Sequence, residues 1–294
     1  MPKSILVTGS LGQLGSELRE LSVLHPDDNF TFIARSELDF SDPIAIQTWF
    51  VDKSFDVIVN CAAYTAVDKA ESEPALAAAI NTTAVETLAR IAKDQGIALI
   101  HISTDYVFDG KNFKPYSEAD PTAPQGVYGQ TKLDGELAML TINPANSIII
   151  RTSWVYSQFG NNFVKTMLRL GKERAELGVI YDQVGTPTSA RDLAQAILAI
   201  IQHPTFNQQK TTEIYHFSNE GVCSWYDFAI AIFDLSAITC TVKPIETKDY
   251  PTPAKRPHYS LLNKAKIKKT YDLTIPYWKD SLQECLNLLK GNTL

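Results

Sequence analysis

Three observations in this sequence predict a doubly wound α/β fold, a parallel sheet with a smaller C-terminal lobe. Short apolar, β-branched runs recur along the chain, and longer segments with helical period lie between them. The first run ends in a glycine-rich turn that opens directly into a helix. Runs this short and this apolar suit strands buried on both faces of a parallel sheet. Regular strand–helix alternation implies βαβ units.

The strand candidates are 4–8, 30–34, 57–61, 98–103, 147–152, 178–181 and 214–217. Helical periodicity falls near 13–24, 43–53, 74–95, 129–141, 161–174 and 189–203. After about residue 217 the pattern changes. Residues 224–234 read as a helix and 240–245 as a strand, 250–257 is proline-rich without a regular period, and a last helix lies near 278–289. The expected division is a dinucleotide-binding domain from 1–156 plus about 186–217. A substrate-covering lobe then takes about 157–185 plus 218–294.

With 294 residues, 45% hydrophobic and 20% charged, the chain has the composition of a globular protein with a sizeable core. A net charge of −6 gives no broad basic surface for nucleic acid. Cys61, Cys223, Cys240 and Cys285 are far apart, form no CxxC pair and have no histidine cluster beside them. Neither a disulfide framework nor a zinc site is expected, and a reducing compartment is the simpler reading. The first apolar run has the length of a strand, not of a signal-peptide core, and no stretch reaches a membrane span. The expectation is a cytoplasmic protein.

The first strand ends in Thr8-Gly9-Ser10-Leu11-Gly12-Gln13-Leu14-Gly15. Glycines at 9, 12 and 15 permit a tight turn, close backbone approach to a pyrophosphate and close helix–strand packing. The following helix offers free amides and its positive dipole end to phosphates. An acid at the end of the second strand would accept from an adenosine 2′-hydroxyl, but this chain reads Ala34-Arg35-Ser36. That favours NADP(H) over NAD(H), unless Arg35 is merely a solvated surface arginine. Asp39 and Phe40 follow as an adenine cup, or as an ordinary loop acid beside a core ring.

Tyr128-Gly129-Gln130-Thr131-Lys132 is a Tyr-x-x-x-Lys at a helix start. Positions i and i+4 share a helix face, so the ammonium can sit beside the phenol and favour its ionised form. About one such pair is expected by accident in a chain of this composition, so position decides its value. Ser103, Thr104 and Asp105 end the fourth strand, where a hydroxyl can help bind the same carbonyl. Asn60, Cys61, Ala62 and Ala63 end the third, small enough for a nicotinamide ribose to lie close. These ends all point to the carboxyl edge of the sheet, where α/β folds bind ligands. Trp154 reads either as a stacking platform or as a core residue. Asn161-Asn162-Phe163 either holds polar ligand edges or caps the next helix. The five histidines are isolated and take no catalytic role.

Taken in order, the glycine turn, Asn60–Ala63, Ser103-Thr104-Asp105-Tyr106-Val107-Phe108 and Tyr128-x-x-x-Lys132 resemble the extended short-chain dehydrogenase/reductases, which carry a Rossmann sheet. More narrowly, the chain resembles the dTDP-4-dehydrorhamnose reductase family. The motifs that carry this are Ala66-Val67-Asp68-Lys69-Ala70-Glu71, Arg151-Thr152-Ser153-Trp154-Val155-Tyr156, Gly160-Asn161-Asn162-Phe163, Asp182-Gln183-Val184-Gly185-Thr186-Pro187-Thr188 and Thr252-Pro253-Ala254-Lys255-Arg256-Pro257. The resemblance runs from the first strand to the final helix.

It implies NADPH-dependent reduction of the C4 carbonyl of dTDP-4-dehydro-L-rhamnose, with NADH as a further acceptable cofactor and a dTDP-sugar as substrate. By the same resemblance Tyr128 is the proton donor, Lys132 lowers its pKa and holds the nicotinamide ribose, and Thr104 binds the carbonyl oxygen. Gly12, Gln13 and Leu14 match pyrophosphate positions, and Ala63, Tyr64 and Thr65 match later cofactor contacts. Val67, Thr104, Asp105, Tyr106 and Trp154 match sugar-nucleotide positions, Asn162 joins them, and Arg256 suits a diphosphate. Metal-bridged dimers in the family use clustered glutamates; here Glu17 is present but Arg191 and Asn287 fill the other places. No structural metal is therefore expected, and the chain is a monomer or a homodimer. The alternatives are a non-catalytic NADP-binding regulatory subunit like that of methionine adenosyltransferase, and another sugar-nucleotide reductase or epimerase on the same core.

Overall fold

Alternate residues of the central strands feed two different cores. Ile5, Val7, Val57, Val59, Ile100, Ile148 and Ile150 pack into one, and Leu6, Ile58, Leu99 and Ile149 into the other. A strand buried on both faces has no polar side, which is why these segments read as unbroken apolar runs. The computed structural model describes residues 2–291.

The first half runs β1 (Ser4–Thr8), α1 (Gln13–Ser22), β2 (Asn29–Phe32), α2 (Pro43–Phe50), β3 (Val57–Asn60), α3 (Val67–Ala70), α4 (Pro74–Ala78), α5 (Ala84–Gln95), β4 (Ala98–Thr104), α6 (Val127–Ile142) and β5 (Ile148–Thr152). The short β6 (Val155–Tyr156), α7 (Phe163–Glu173), β7 (Glu176–Ile180), β8 (Val184–Gly185) and β9 (Thr188–Ser189) follow. Then come α8 (Ala190–Gln202), β10 (Glu213–His216), β11 (Cys223–Ser224), α9 (Trp225–Ser236), β12 (Thr241–Ile245), α10 (Ala265–Tyr271) and α11 (Trp278–Gly291). Six strands form one sheet in the order β10-β5-β4-β3-β1-β2, with every pair parallel. One core takes α1, α8 and α10, and the other takes α2, α5 and α6. The doubly wound prediction holds.

The 178–181 run does not join that sheet. It belongs to β7, which pairs in parallel with β12. Leu177 and Val179 are buried while Glu176 and Gly178 are exposed, the signature of a strand covered on one face only. Residues 74–95 are not one uniform helix either, because a π turn at Ala79–Thr83 separates α4 from α5. The chain leaves β2 at Phe32, earlier than expected. A third core gathers Tyr156, Val164, Met167, Leu177, Phe228, Ile232, Trp278 and Leu282 from the later elements. The helix α10 went unpredicted; it buries Ile267 and Tyr271, four residues apart.

All four cysteines are free. Among the described residues, no helix is long and apolar enough to cross a membrane. Arg191 draws Glu17, Glu20 and Glu284 together at 3.1–3.3 Å.

Candidate active site

The β1–α1 turn opens one end of a cleft of about 870 Å³ along the carboxyl edge of the sheet. Gly9 takes φ +62°, and a Cβ there would lie 2.7 Å from the Ala62 nitrogen, so only glycine lets the turn close against the end of β3. A Cβ on Gly15 would strike the Gly9 carbonyl. Gly15 therefore serves helix–turn packing, and it is not among the residues that line the cleft. Gly12 begins α1 with no side-chain cap, leaving first-turn N–H groups for a ligand. Gly12, Gln13 and Leu14 line the cleft there. Two glycines in the turn and an uncapped helix start fit a dinucleotide diphosphate.

Next to it lie Arg35, Asp39 and Phe40. The Arg35 side chain is 71% exposed and reaches Asp39 at 3.7 Å. The backbone N–H and the hydroxyl of Ser41 both donate to Asp39 and hold its carboxyl below the usual range.

Cys61, Ala62, Ala63, Tyr64, Thr65 and Val67 form the middle of the cleft wall. Asn81 secures this loop from inside the π turn: its Oδ1 accepts from Tyr64 N at 2.9 Å, and its Nδ2 donates to Tyr64 O and to Thr131 Oγ1. π turns recur at functional sites, but nothing local in the sequence marks this one.

At the chemical end, β4 delivers Ser103, Thr104 and Asp105, and α6 delivers Tyr128 and Lys132. The helix α6 starts where it does because Glu71 Oε1 accepts from Val127 N at 2.9 Å. A Cβ on Gly129 would strike the Tyr106 carbonyl, so this glycine lets the helix approach the turn after β4 closely. The Tyr106 ring meets Tyr128 edge-on, with centroids 5.4 Å apart. Thr104 Oγ1 donates to Asp105 Oδ1 at 3.0 Å and accepts from Tyr106 N at 3.2 Å. Ser103 donates to Glu136, which Arg151 holds in a buried two-pronged ion pair.

Burial pushes the Tyr128 phenol up to about 12, against a hydrogen bond with Thr104 that lowers it. It brings Lys132 down to about 8 and lifts Asp105 to about 7. Lys132 Nζ donates to Ile102 O at 2.6 Å and lies 3.3 Å from His101 Nε2; the Tyr128 hydroxyl is not among its hydrogen-bond partners.

Two expected substrate contacts are engaged elsewhere. Asn162 caps α7, accepting from Lys165 N at 3.1 Å, and its Nδ2 is spent on Gln13 Oε1 and Ser157 O. The Arg256 guanidinium grips Asp68 through two bonds of 2.8 and 3.0 Å and does not line the cleft. That pair ties the proline-rich loop to α3 and holds the Asp68 carboxyl low. Trp154 does line the cleft, in the left-handed region at φ +48°, with its ring stacked on Trp225 at 3.7 Å. Trp225, Asn161 and Ser153 also line it. Trp225 arrives from a distant helix, so only the fold reveals it.

The model of the RmlD substrate binding domain matches residues 3–290. The Escherichia coli K12 dTDP-4-dehydrorhamnose reductase is 43% identical over 300 residues, covering 99% of each chain. This chain belongs to the dTDP-4-dehydrorhamnose reductase family. It is therefore an oxidoreductase of that family. A Sinorhizobium fredii dTDP-4-dehydrorhamnose reductase is 42% identical over 94% of each chain. The family's fold is matched by a crystal structure from Bacillus anthracis, a dTDP-4-dehydrorhamnose reductase in complex with NADP. It shares 35% identity and superposes with a TM-score of 0.91 over 98% of this chain and 100% of that one.

Proposed function

We propose that this chain reduces the C4 carbonyl of dTDP-4-dehydro-L-rhamnose to give dTDP-L-rhamnose, with NADPH as cofactor and Tyr128 as proton donor. The observation that carries the reading is the meeting, in one cleft, of an uncapped phosphate cradle at α1 with Thr104, Tyr128 and Lys132 at its far end. NADPH supplies the hydride when bound. Tyr128 gives its hydroxyl proton to the carbonyl oxygen as negative charge develops. A phenol held up at about 12 stays protonated across the neutral range, the state that a donor needs. The Thr104 hydroxyl, once its proton turns from Asp105 to the substrate, steadies the same oxygen, and Lys132 orients the nicotinamide ribose.

In this reading Gly9, Gly12, Gln13 and Leu14 receive the pyrophosphate, and Arg35, Asp39 and Phe40 the adenosine end. Asp105, Tyr106, Val67 and Trp154 receive the sugar nucleotide. Residues 1–156 with 186–217 then bind the cofactor, and 157–185 with 218–294 bind the sugar nucleotide.

The test supplies purified protein with NADPH and dTDP-4-dehydro-L-rhamnose and follows both cofactor oxidation and the sugar product. Stoichiometric oxidation with dTDP-L-rhamnose formed is the expected result. Tight NADPH binding without turnover contradicts the reading and favours an NADP-binding regulatory chain.

A further inference from the structure

A hydrogen-bond chain runs beneath the cleft and ends on Lys132. The Ala62 N–H donates to Thr8 Oγ1 at 3.2 Å, and the Thr8 hydroxyl donates to Asn60 Oδ1 at 2.7 Å. Asn60 Nδ2 lies 3.1 Å from His101 Nδ1, and His101 Nε2 lies 3.3 Å from Lys132 Nζ. Thr8, Asn60, His101 and Lys132 are all at most 2% exposed, so bulk water does not intervene.

The chain has a direction. With its oxygen engaged by Thr8, the Asn60 amide turns an N–H toward His101, so Nδ1 must accept. A neutral imidazole that accepts at Nδ1 carries its proton on Nε2. The ring then presents a donor to Lys132, which complements an amine and opposes an ammonium. Lys132 can still donate to Ile102 O in either form.

We propose that His101, held by Asn60 and Thr8 with its proton on Nε2, is a positioning residue that fixes Lys132 and opposes its ammonium form. The groups facing the pair come from several elements. Burial and the neighbouring Lys132, from α6, keep the His101 imidazole neutral. Burial lowers Lys132, and Glu136 from α6 and Cys61 just past β3 act against it and raise it. The kinetic consequence rests on the reductase reading above; the tautomer does not.

Two measurements test the proposal. Nitrogen-15 NMR of histidine-labelled native protein, at neutral and mildly alkaline pH, should find His101 neutral with its proton on Nε2. A proton on Nδ1, or an imidazolium, overturns the proposal whether or not the protein turns over substrate. His101→Gln frees an amide oxygen to face the ammonium. It should move the alkaline limb of kcat/KM upward by about one pH unit. Lower activity with an unmoved limb marks a merely structural histidine and overturns the proposal.

Discussion

The two ends of the cleft are built to different standards. At the chemical end Thr104, Asp105 and Lys132 are at most 5% exposed, and each is held by at least one bond of 3.0 Å or less. At the adenosine end Arg35 is 71% exposed and its partner lies 3.7 Å away. A group that must meet a developing charge gains most from being fixed beforehand. One that only selects between cofactors can stay solvated, where a charge pair is worth little. Substitutions at the first end should therefore lower kcat, and substitutions at the second should change cofactor preference and affinity.

Lys132→Met should produce the largest of these contrasts, a loss of about 10³ in kcat/KM. Steady-state kinetics with each substrate varied checks it; a loss confined to the KM for NADPH would erase the distinction between the ends. Thr104→Val should cost about 10² in kcat with little change in affinity, as for one oxyanion donor removed.

The pH dependence of kcat/KM sharpens the comparison, because both titrating groups lie at the buried end. Asp105, lifted to about 7 by burial, ionises as pH rises, and its carboxylate, accepting from the sugar hydroxyls in the proposed complex, gives the rising limb. Lys132, brought down to about 8, loses the proton it offers the ribose and gives the falling limb. Asp105→Asn should flatten the rising limb and leave the falling one. The smallest effect is expected at the exposed end. Arg35→Ala should reduce the preference for NADPH over NADH by about five- to tenfold, and added salt should shrink the effect further. Equal losses with both cofactors would remove Arg35 from the account.

Legibility in the sequence follows the range of the interactions. The parallel strands were readable because burial on both faces is written into each short run. The glycine turn and Tyr128-x-x-x-Lys132 were readable because their geometry is set within a few residues. What Lys132, Asn162 and Arg256 bond to was not readable. His101 comes from β4, Gln13 from α1 and Asp68 from α3, and nothing near each residue announces its distant partner. The cap at Asn162 was readable as one of two options, and only the fold chose between them. Trp225 and the π turn that holds Asn81 escaped for the same reason. The 178–181 run misled because five residues of alternating burial look much like five residues buried throughout.

The central claim is that the Tyr128 hydroxyl supplies the proton. Rapid mixing of Tyr128→Phe with NADPH and dTDP-4-dehydro-L-rhamnose, beside the native chain, tests it most directly in a single turnover. The account predicts hydride transfer slower by about 10²–10⁴, with NADPH affinity unchanged. Hydride transfer at the native rate in the variant would contradict it.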